Sequence, residues 1–268
     1  MLQRETSNQG VVIYYSPLLR ARGIAHAFST RIGGVSKPPF DSLNLGNPNG
    51  YELQDRKENI EANYNLLMQA AGCGEHKLVR VHQVHGNCVA QVKQAQGFIF
   101  DTQADGLVTD DPMACLSVRV ADCVPVLLAS GDGRWVGAVH AGWRGVVAGV
   151  VPAAVEKLSL SADICSSKVV AAIGPSIGLS AFEVGDEVAK AFGEAFGEQA
   201  PVSREGHQKA HVDLRAGIEL QLIRAGVPAG RIDTTDRCTY RDEAEFFSHR
   251  RENGITGRMA AIIAPASG

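Results

Sequence analysis

Apolar runs rich in branched residues recur along the chain, each bounded by Gly, Pro, Asp or Asn. The stretches Val11–Tyr15, Ile24–Phe28, Leu78–Val81, Gly106–Thr109, Cys115–Val120, Pro125–Ala129, Trp135–Val139, Val169–Ile173 and Met259–Ile263 read as strands. Helical periodicity is rarer. It predicts helices over Asp55–Ala71, stopped by Gly72, and over Gly145–Leu158, where Pro152 sets a kink or a first turn. It also predicts Gly185–Phe196 and Leu214–Ala225. The last is the clearest, with Asp213 as N-cap, Gly226 as stop, and Leu214, Ile218, Leu222 and Ala225 on one stripe. Strands cluster in the middle of the chain and helices fall between groups of strands. That order predicts one α+β domain over residues 1–268 with a mixed, largely antiparallel sheet core, not a doubly wound sheet. The stretch Gly33–Gly50, rich in Gly and Pro, reads as a long ordered loop.

Composition changes this picture little. With 45% hydrophobic and 21% charged residues the chain reads as an ordinary soluble globular protein. A formal net charge of −3 offers no electrostatic case for nucleic acid or an anionic membrane. The polar start MLQRETSNQG is not a secretory signal, and no apolar run of about eighteen residues is available to span a bilayer. The expectation is a cytoplasmic protein with small-molecule partners and free thiols. Six cysteines, at 73, 88, 115, 123, 165 and 238, include no Cys-x-x-Cys pair, so ribbon-type zinc and thioredoxin-type redox chemistry are excluded.

The chemistry concentrates at strand ends. His82 and His85 flank a strand exit in Val-His-Gln-Val-His-Gly; residues three apart on a strand face opposite ways, so at most one serves a given site, and Gly86 favours His85. Cys123 sits between two strands beside Asp122, whose side chain strand alternation points away from it. His140 ends a strand ahead of Ala-Gly-Trp-Arg-Gly, a turn that leads to a helix. If these ends meet at one rim, His85, Cys123 and His140 form a two-histidine, one-cysteine set with an open fourth position, the ligand count of catalytic zinc. Zinc in such a site lowers the pKa of water to about 7. The same residues permit a metal-free hydrolase in which His140 activates a Cys123 thiolate. A copper oxidase is a third reading, and eight histidines without a His-x-His pair are few for a multinuclear cluster. His207 and His211 read as solvated loop residues.

Two further stretches carry candidate substrate contacts. Arg31 and Asn44 lie on glycine-rich turns in Ser-Thr-Arg-Ile-Gly-Gly-Val-Ser and Ser-Leu-Asn-Leu-Gly. Arg31 is read either as an anion clamp or as a pin for its own loop. Arg250, in Phe-Phe-Ser-His-Arg-Arg-Glu, is a weaker candidate for phosphate.

Taken together, Ser29–Gly46, Gln83-Val-His-Gly86, Ala121-Asp-Cys-Val-Pro125, His140-Ala-Gly-Trp-Arg-Gly145, Ala172-Ile-Gly-Pro-Ser-Ile177 and Phe246…Thr256-Gly-Arg-Met259 resemble the YfiH-like family, also called the multicopper polyphenol oxidase or laccase-domain family. The likeness runs from about residue 22 to the end in family order, with Lys37-Pro-Pro-Phe40 as a mild departure. It implies a mixed β-sandwich with outer helices, related to the cytotoxic necrotizing factor toxins, and zinc on His85, Cys123 and His140. It also implies phosphorolysis of adenosine, inosine, guanosine or methylthioadenosine, and deamination of adenosine. Polyphenol oxidation and removal of miscoupled peptidoglycan precursors are associated with some relatives.

Overall fold

The computed structural model describes residues 1–94, 98–204 and 209–266. Two mixed sheets lie face to face. The larger runs Gln3–Thr6, Val12–Tyr15, Ala25–Ser29, Met259–Ala264, Ala114–Val120, Lys77–His82, Phe98–Gln103 from edge to edge. The smaller runs Ile232–Asp233, Val170–Ile173, Val124–Ala129, Val136–Ala141, Gly106–Thr109, Val89–Val92. Pairing is antiparallel except where Lys77–His82 meets its two neighbours, where Val89–Val92 meets Gly106–Thr109, and where Ile232–Asp233 meets Val170–Ile173. A small three-stranded sheet of Glu183–Val184, Ala210–Val212 and Val202–Ser203 lies apart.

The two-residue side-chain period sorts the apolar positions into layers. Val136 and Ala138 join Leu116, Val118, Leu127, Ala172 and Ile263 in the core between the sheets. Their neighbours Val139 and Ala141 turn outward with Val126 and Leu128, against Val155, Phe192 and Ile218. Those three belong to helices Val150–Ala162, Asp186–Phe196 and Leu214–Arg224. On the far side, Ala27, Cys115 and Ile262 pack under Leu67 of helix Lys57–Ala70. Both faces of both sheets are therefore covered, which is why central strands read as unbroken apolar runs. The expected sandwich with outer helices is what forms.

The differences have local causes. The helix expected over Gly145–Leu158 is two, Trp143–Val147 and Val150–Ala162, because Gly149 takes a left-handed φ of 78°. Pro152 then falls in the second helix's first turn, where a missing N–H is harmless. Asp55 stays outside its expected helix because Ser36 Oγ, Asn44 Nδ2 and Asn59 Nδ2 all donate to its carboxylate. The Gly33–Gly50 segment is tied down: Leu43 and Leu45 are fully buried, and Asn63 donates to Ser36 Oγ and to the carbonyls of Ser42 and Asn44.

Candidate metal centre and cavity

Three interruptions of the sheets meet at one rim of the sandwich. The strand Lys77–His82 ends, and the chain turns through His85 at a left-handed φ of 62°. The chain leaves the larger sheet at Val120 and enters the smaller at Val124, with Asp122 at φ 87° and Cys123 in the corner between. His140 lies next to the end of Val136–Ala141, on the face that Val136 and Ala138 turn toward the other sheet. These corners bring one ligand atom each from His85, Cys123 and His140 to within 4.8 Å of one another. Among the described residues, no other group of three or more His, Cys, Asp or Glu converges in this way. His82 remains exposed at its strand end, outside the group.

One buried carboxylate organises the corner. Asp105, fully buried just ahead of strand Gly106–Thr109, accepts from His140 Nδ1 at 2.8 Å and from the backbone N–H groups of His85 at 3.0 Å, Gly86 at 2.7 Å and Val84 at 3.2 Å. An ionised carboxylate only accepts, so Nδ1 carries the proton and Nε2 is left toward Cys123. Burial opposes charge here, yet the bonds from His140 and the turn hold Asp105 below the usual carboxylate range. Burial alone would raise the Cys123 thiol, but His140 and then His85 outweigh it and bring it down to about 6. Burial likewise opposes a charged His140, and the Cys123 thiolate and Asp105 lift it to about 9.

The residues fit a metal ion. Gly142 is the second sign: a Cβ there would lie 2.8 Å from His85 Cδ2 and 3.1 Å from Cys123 Sγ, so only glycine lets these two side chains converge. His85 is the exposed member, which opens the group toward a cavity of about 360 Å³. Trp143, Ile177, Phe182 and Leu214 line the cavity on the side of the helices. Asn47, Asn49, Arg119 and Arg258 line it on the side of the larger sheet and its loop. Arg119 and Arg258 are both partly withdrawn from water, and burial pushes both guanidinium pKa values down. Among the described residues neither forms an ion pair; Arg258 reaches only the carbonyls of Thr256 and Gly257. Both side chains are half-buried, and a guanidinium without an ion-pair partner can take an anionic ligand.

The substrate contacts expected from the sequence are redistributed. Arg31 does not line the cavity. Its Nε donates to the Asp41 carbonyl at 2.8 Å, its Nη2 meets Asp41 Oδ1 at 3.3 Å, and it stacks on Phe247. It pins its loop. Asn44 is fully buried, donating to Asp55 and accepting from the backbone N–H groups of Gly46 and Arg258. It touches the cavity only by holding the residue that does. Arg250 lines the cavity, over the Phe182 ring and donating to the Glu183 carbonyl. Strand alternation does not govern Asp122, because residues 121–123 form a bend. Its carboxylate accepts from Thr239 Oγ1 at 2.6 Å and from the Arg250 backbone N–H at 2.7 Å, strapping that segment beside the corner. His211 bonds the Leu179 carbonyl through Nδ1, and His207 lies outside the described residues. All six cysteines are free.

Asp105, Arg119 and Arg258 are site residues that the motifs of the sequence do not mark as such. Arg119 had a signal: one cation inside the apolar strand Ala-Cys-Leu-Ser-Val-Arg-Val. Asp105, in Ala-Asp-Gly, looks like any turn residue.

Comparison with known proteins agrees with this fold. The chain is 38% identical over 249 residues to a purine nucleoside phosphorylase of Deinococcus radiodurans, covering 92% of each. It is 39% identical over 242 residues to purine nucleoside phosphorylase YfiH of Escherichia coli, covering 90% of this chain and 94% of that one. The crystal structure of YlmD from Geobacillus stearothermophilus superposes with a TM-score of 0.85 at 32% identity, over 98% of this chain and 99% of that one. Residues 25–266 match the family model described as multi-copper polyphenol oxidoreductase laccase, and the chain belongs to that family, the YfiH-like proteins.

Proposed function

We propose that this protein is a zinc-dependent purine nucleoside enzyme that cleaves nucleosides with phosphate and deaminates adenosine. The observation that carries the reading is the cavity itself: the His85, Cys123 and His140 group lies in a cavity also lined by Arg119, Arg258, Trp143 and Phe182. Aromatic and aliphatic side chains suit the face of a purine, and paired guanidinium groups suit a phosphate. The phosphorylase names of the relatives support the same substrates.

In phosphorolysis a phosphate oxygen forms a bond to ribose C1′ while the bond from C1′ to the purine nitrogen breaks. Ribose 1-phosphate leaves with the new bond, and the purine keeps the electron pair and takes up a proton. Arg119 and Arg258 would hold the phosphate and neutralise its charge. Trp143 and Phe182 would fix the purine plane, and Asp122 holds the segment bearing His249 and Arg250 along the wall. His85, Cys123 and His140 would hold a zinc ion, which when bound would supply Lewis acidity and an acidified water for deamination at purine C6. The nucleosides expected as substrates are adenosine, inosine, guanosine and methylthioadenosine.

A second reading draws on the Asp105–His140–Cys123 chain of contacts, the order of an orienting acid, a base and a thiolate nucleophile in a metal-free hydrolase. The experiment is to incubate purified protein with adenosine, with and without phosphate, before and after exhaustive chelation. Phosphate-dependent adenine and phosphate-independent inosine, both lost on chelation and restored by zinc, are expected. Full turnover after chelation favours the cysteine hydrolase and overturns the zinc reading. Oxygen uptake with a phenol that scales with bound copper, and no nucleoside turnover, would establish the copper oxidase instead.

A further inference from the structure

We propose that Asp105 is the positioning residue of the metal centre, ordering both histidines through a single carboxylate. The inference rests on the reading of His85, Cys123 and His140 as metal ligands and is independent of the substrate. The two carboxylate oxygens divide the work. Oδ1 accepts from His140 Nδ1 at 2.8 Å and from the His85 N–H at 3.0 Å; Oδ2 accepts from the Gly86 N–H at 2.7 Å and the Val84 N–H at 3.2 Å. The first oxygen selects the His140 tautomer whose Nε2 is free to bind. Both oxygens together hold the turn in which His85 takes its left-handed conformation, a state that costs a non-glycine residue free energy unless its surroundings enforce it. The backbone of Asp105 is fixed as well: its N–H donates to the Cys88 carbonyl at 3.0 Å, and its carbonyl accepts from the His140 N–H at 2.7 Å. The carboxylate has no freedom to follow a displaced ligand, so it sets where the ligands stand before any metal arrives.

Near-isosteric replacement by asparagine discriminates this role from simple packing. An amide nitrogen in place of Oδ1 faces the His140 Nδ1 proton and the His85 N–H. In place of Oδ2 it faces the N–H groups of Gly86 and Val84. Either orientation sets donor against donor, at both histidines in the first case and in the turn that carries His85 in the second.

The test measures zinc and cobalt affinity of the full chain by competition with a chromogenic chelator, for wild type and Asp105→Asn, alongside thermal melting of the metal-free proteins. Asp105→Asn is expected to weaken metal binding by about 10- to 100-fold and to change the ligand-field spectrum of bound cobalt. Equal affinity and an unchanged cobalt spectrum in a folded Asp105→Asn protein overturn the inference. Failure of the wild type to bind either metal instead sinks the ligand reading beneath it, so the two failures are distinct. A measurement on zinc-loaded wild type covers the case in which the variant does not fold. Nitrogen-15 correlation spectra should show His140 bound through Nε2, with a slowly exchanging Nδ1 proton. Binding through Nδ1 would overturn the proposal.

Discussion

The loop from Ser29 to Gly46 and the rim holding His85, Cys123 and His140 are made of similar material: glycine turns, buried polar side chains and residues of unusual backbone. They use it in opposite ways. In the loop the buried and half-buried polar groups close on the protein, Arg31 on Asp41, Asn44 on Asp55 and on the Arg258 backbone. At the rim the backbone and Asp105 are satisfied, while the three ligand atoms and the guanidinium groups of Arg119 and Arg258 are left facing a cavity. The comparison teaches that dense motifs mark residues under constraint. Whether the constraint is a ligand or the chain itself depends on which polar groups remain without a protein partner.

The sharpest way to break this contrast is to remove one rim ligand and one loop pin. Cys123→Ala should abolish stoichiometric zinc and lower nucleoside turnover on the order of a thousand-fold or more. Arg31→Ala should retain turnover per folded molecule within about 3-fold while lowering the melting temperature. Metal analysis and turnover on the same samples decide it, and a comparable loss of turnover in folded Arg31→Ala would move the loop into the site. Next in size, Asn44→Ala strands several buried partners and should destabilise the fold by roughly 2–3 kcal/mol in denaturant titration, with zinc content unchanged.

The arginines give a contrast of sign. Arg119→Met or Arg258→Met should raise the KM for phosphate by about 10- to 100-fold, since bonds from a charged donor are worth roughly 1.5–3 kcal/mol. In phosphate-free buffer either change should leave stability nearly unaltered, because it removes a half-buried cation that has no ion-pair partner among the described residues. Arg31→Met should instead lower stability, so melting curves with and without phosphate separate a ligand wall from a self-closed loop.

The smallest effect is the loop's response to acid. Burial works against the Asp55 charge, but bonds from Ser36, Asn59, Asn44 and the Arg56 N–H prevail and hold its pKa below 3.8. A depressed folded-state value means that its stabilisation is present in full above the unfolded value and is lost as pH falls through the folded one. Urea midpoints taken from about pH 5 down to pH 2 should therefore decline less steeply in Asp55→Asn than in wild type. Parallel curves would show that the hub carries no charge-dependent stability.

Much of this was legible in one dimension. The central strands stand out because each is covered on both faces and reads as an apolar run, and the Leu214 helix because Asp213 caps it through a bond to Ala216 N–H. His85 could be preferred over His82 because strand geometry separates residues three apart and Gly86 marks His85 as the residue at the strand exit. The split at Gly149 was not legible, since a glycine inside a helical pattern does not announce a left-handed φ. The choice between the two roles of Arg31, and the role of Asn44, were hidden for a different reason. Their partners Asp41 and Asp55 lie close in sequence, but only the fold decides that those carboxylates turn toward them.

By itself the sequence determined the layered α+β class, the strand ends where chemistry could sit and, through its resemblance to relatives, the identities of the three ligand candidates. Those properties depend on local periodicity and on residue type, which one dimension records. Only the tertiary structure decided that the three ends share a rim, that one carboxylate from a fourth segment orders two of them, and that Arg119 and Arg258, not Arg31, face the cavity. These are facts about convergence across long separations, such as the 35 residues between Asp105 and His140. Side-chain chemistry alone does not encode which groups meet, because the packing of whole sheets sets those distances.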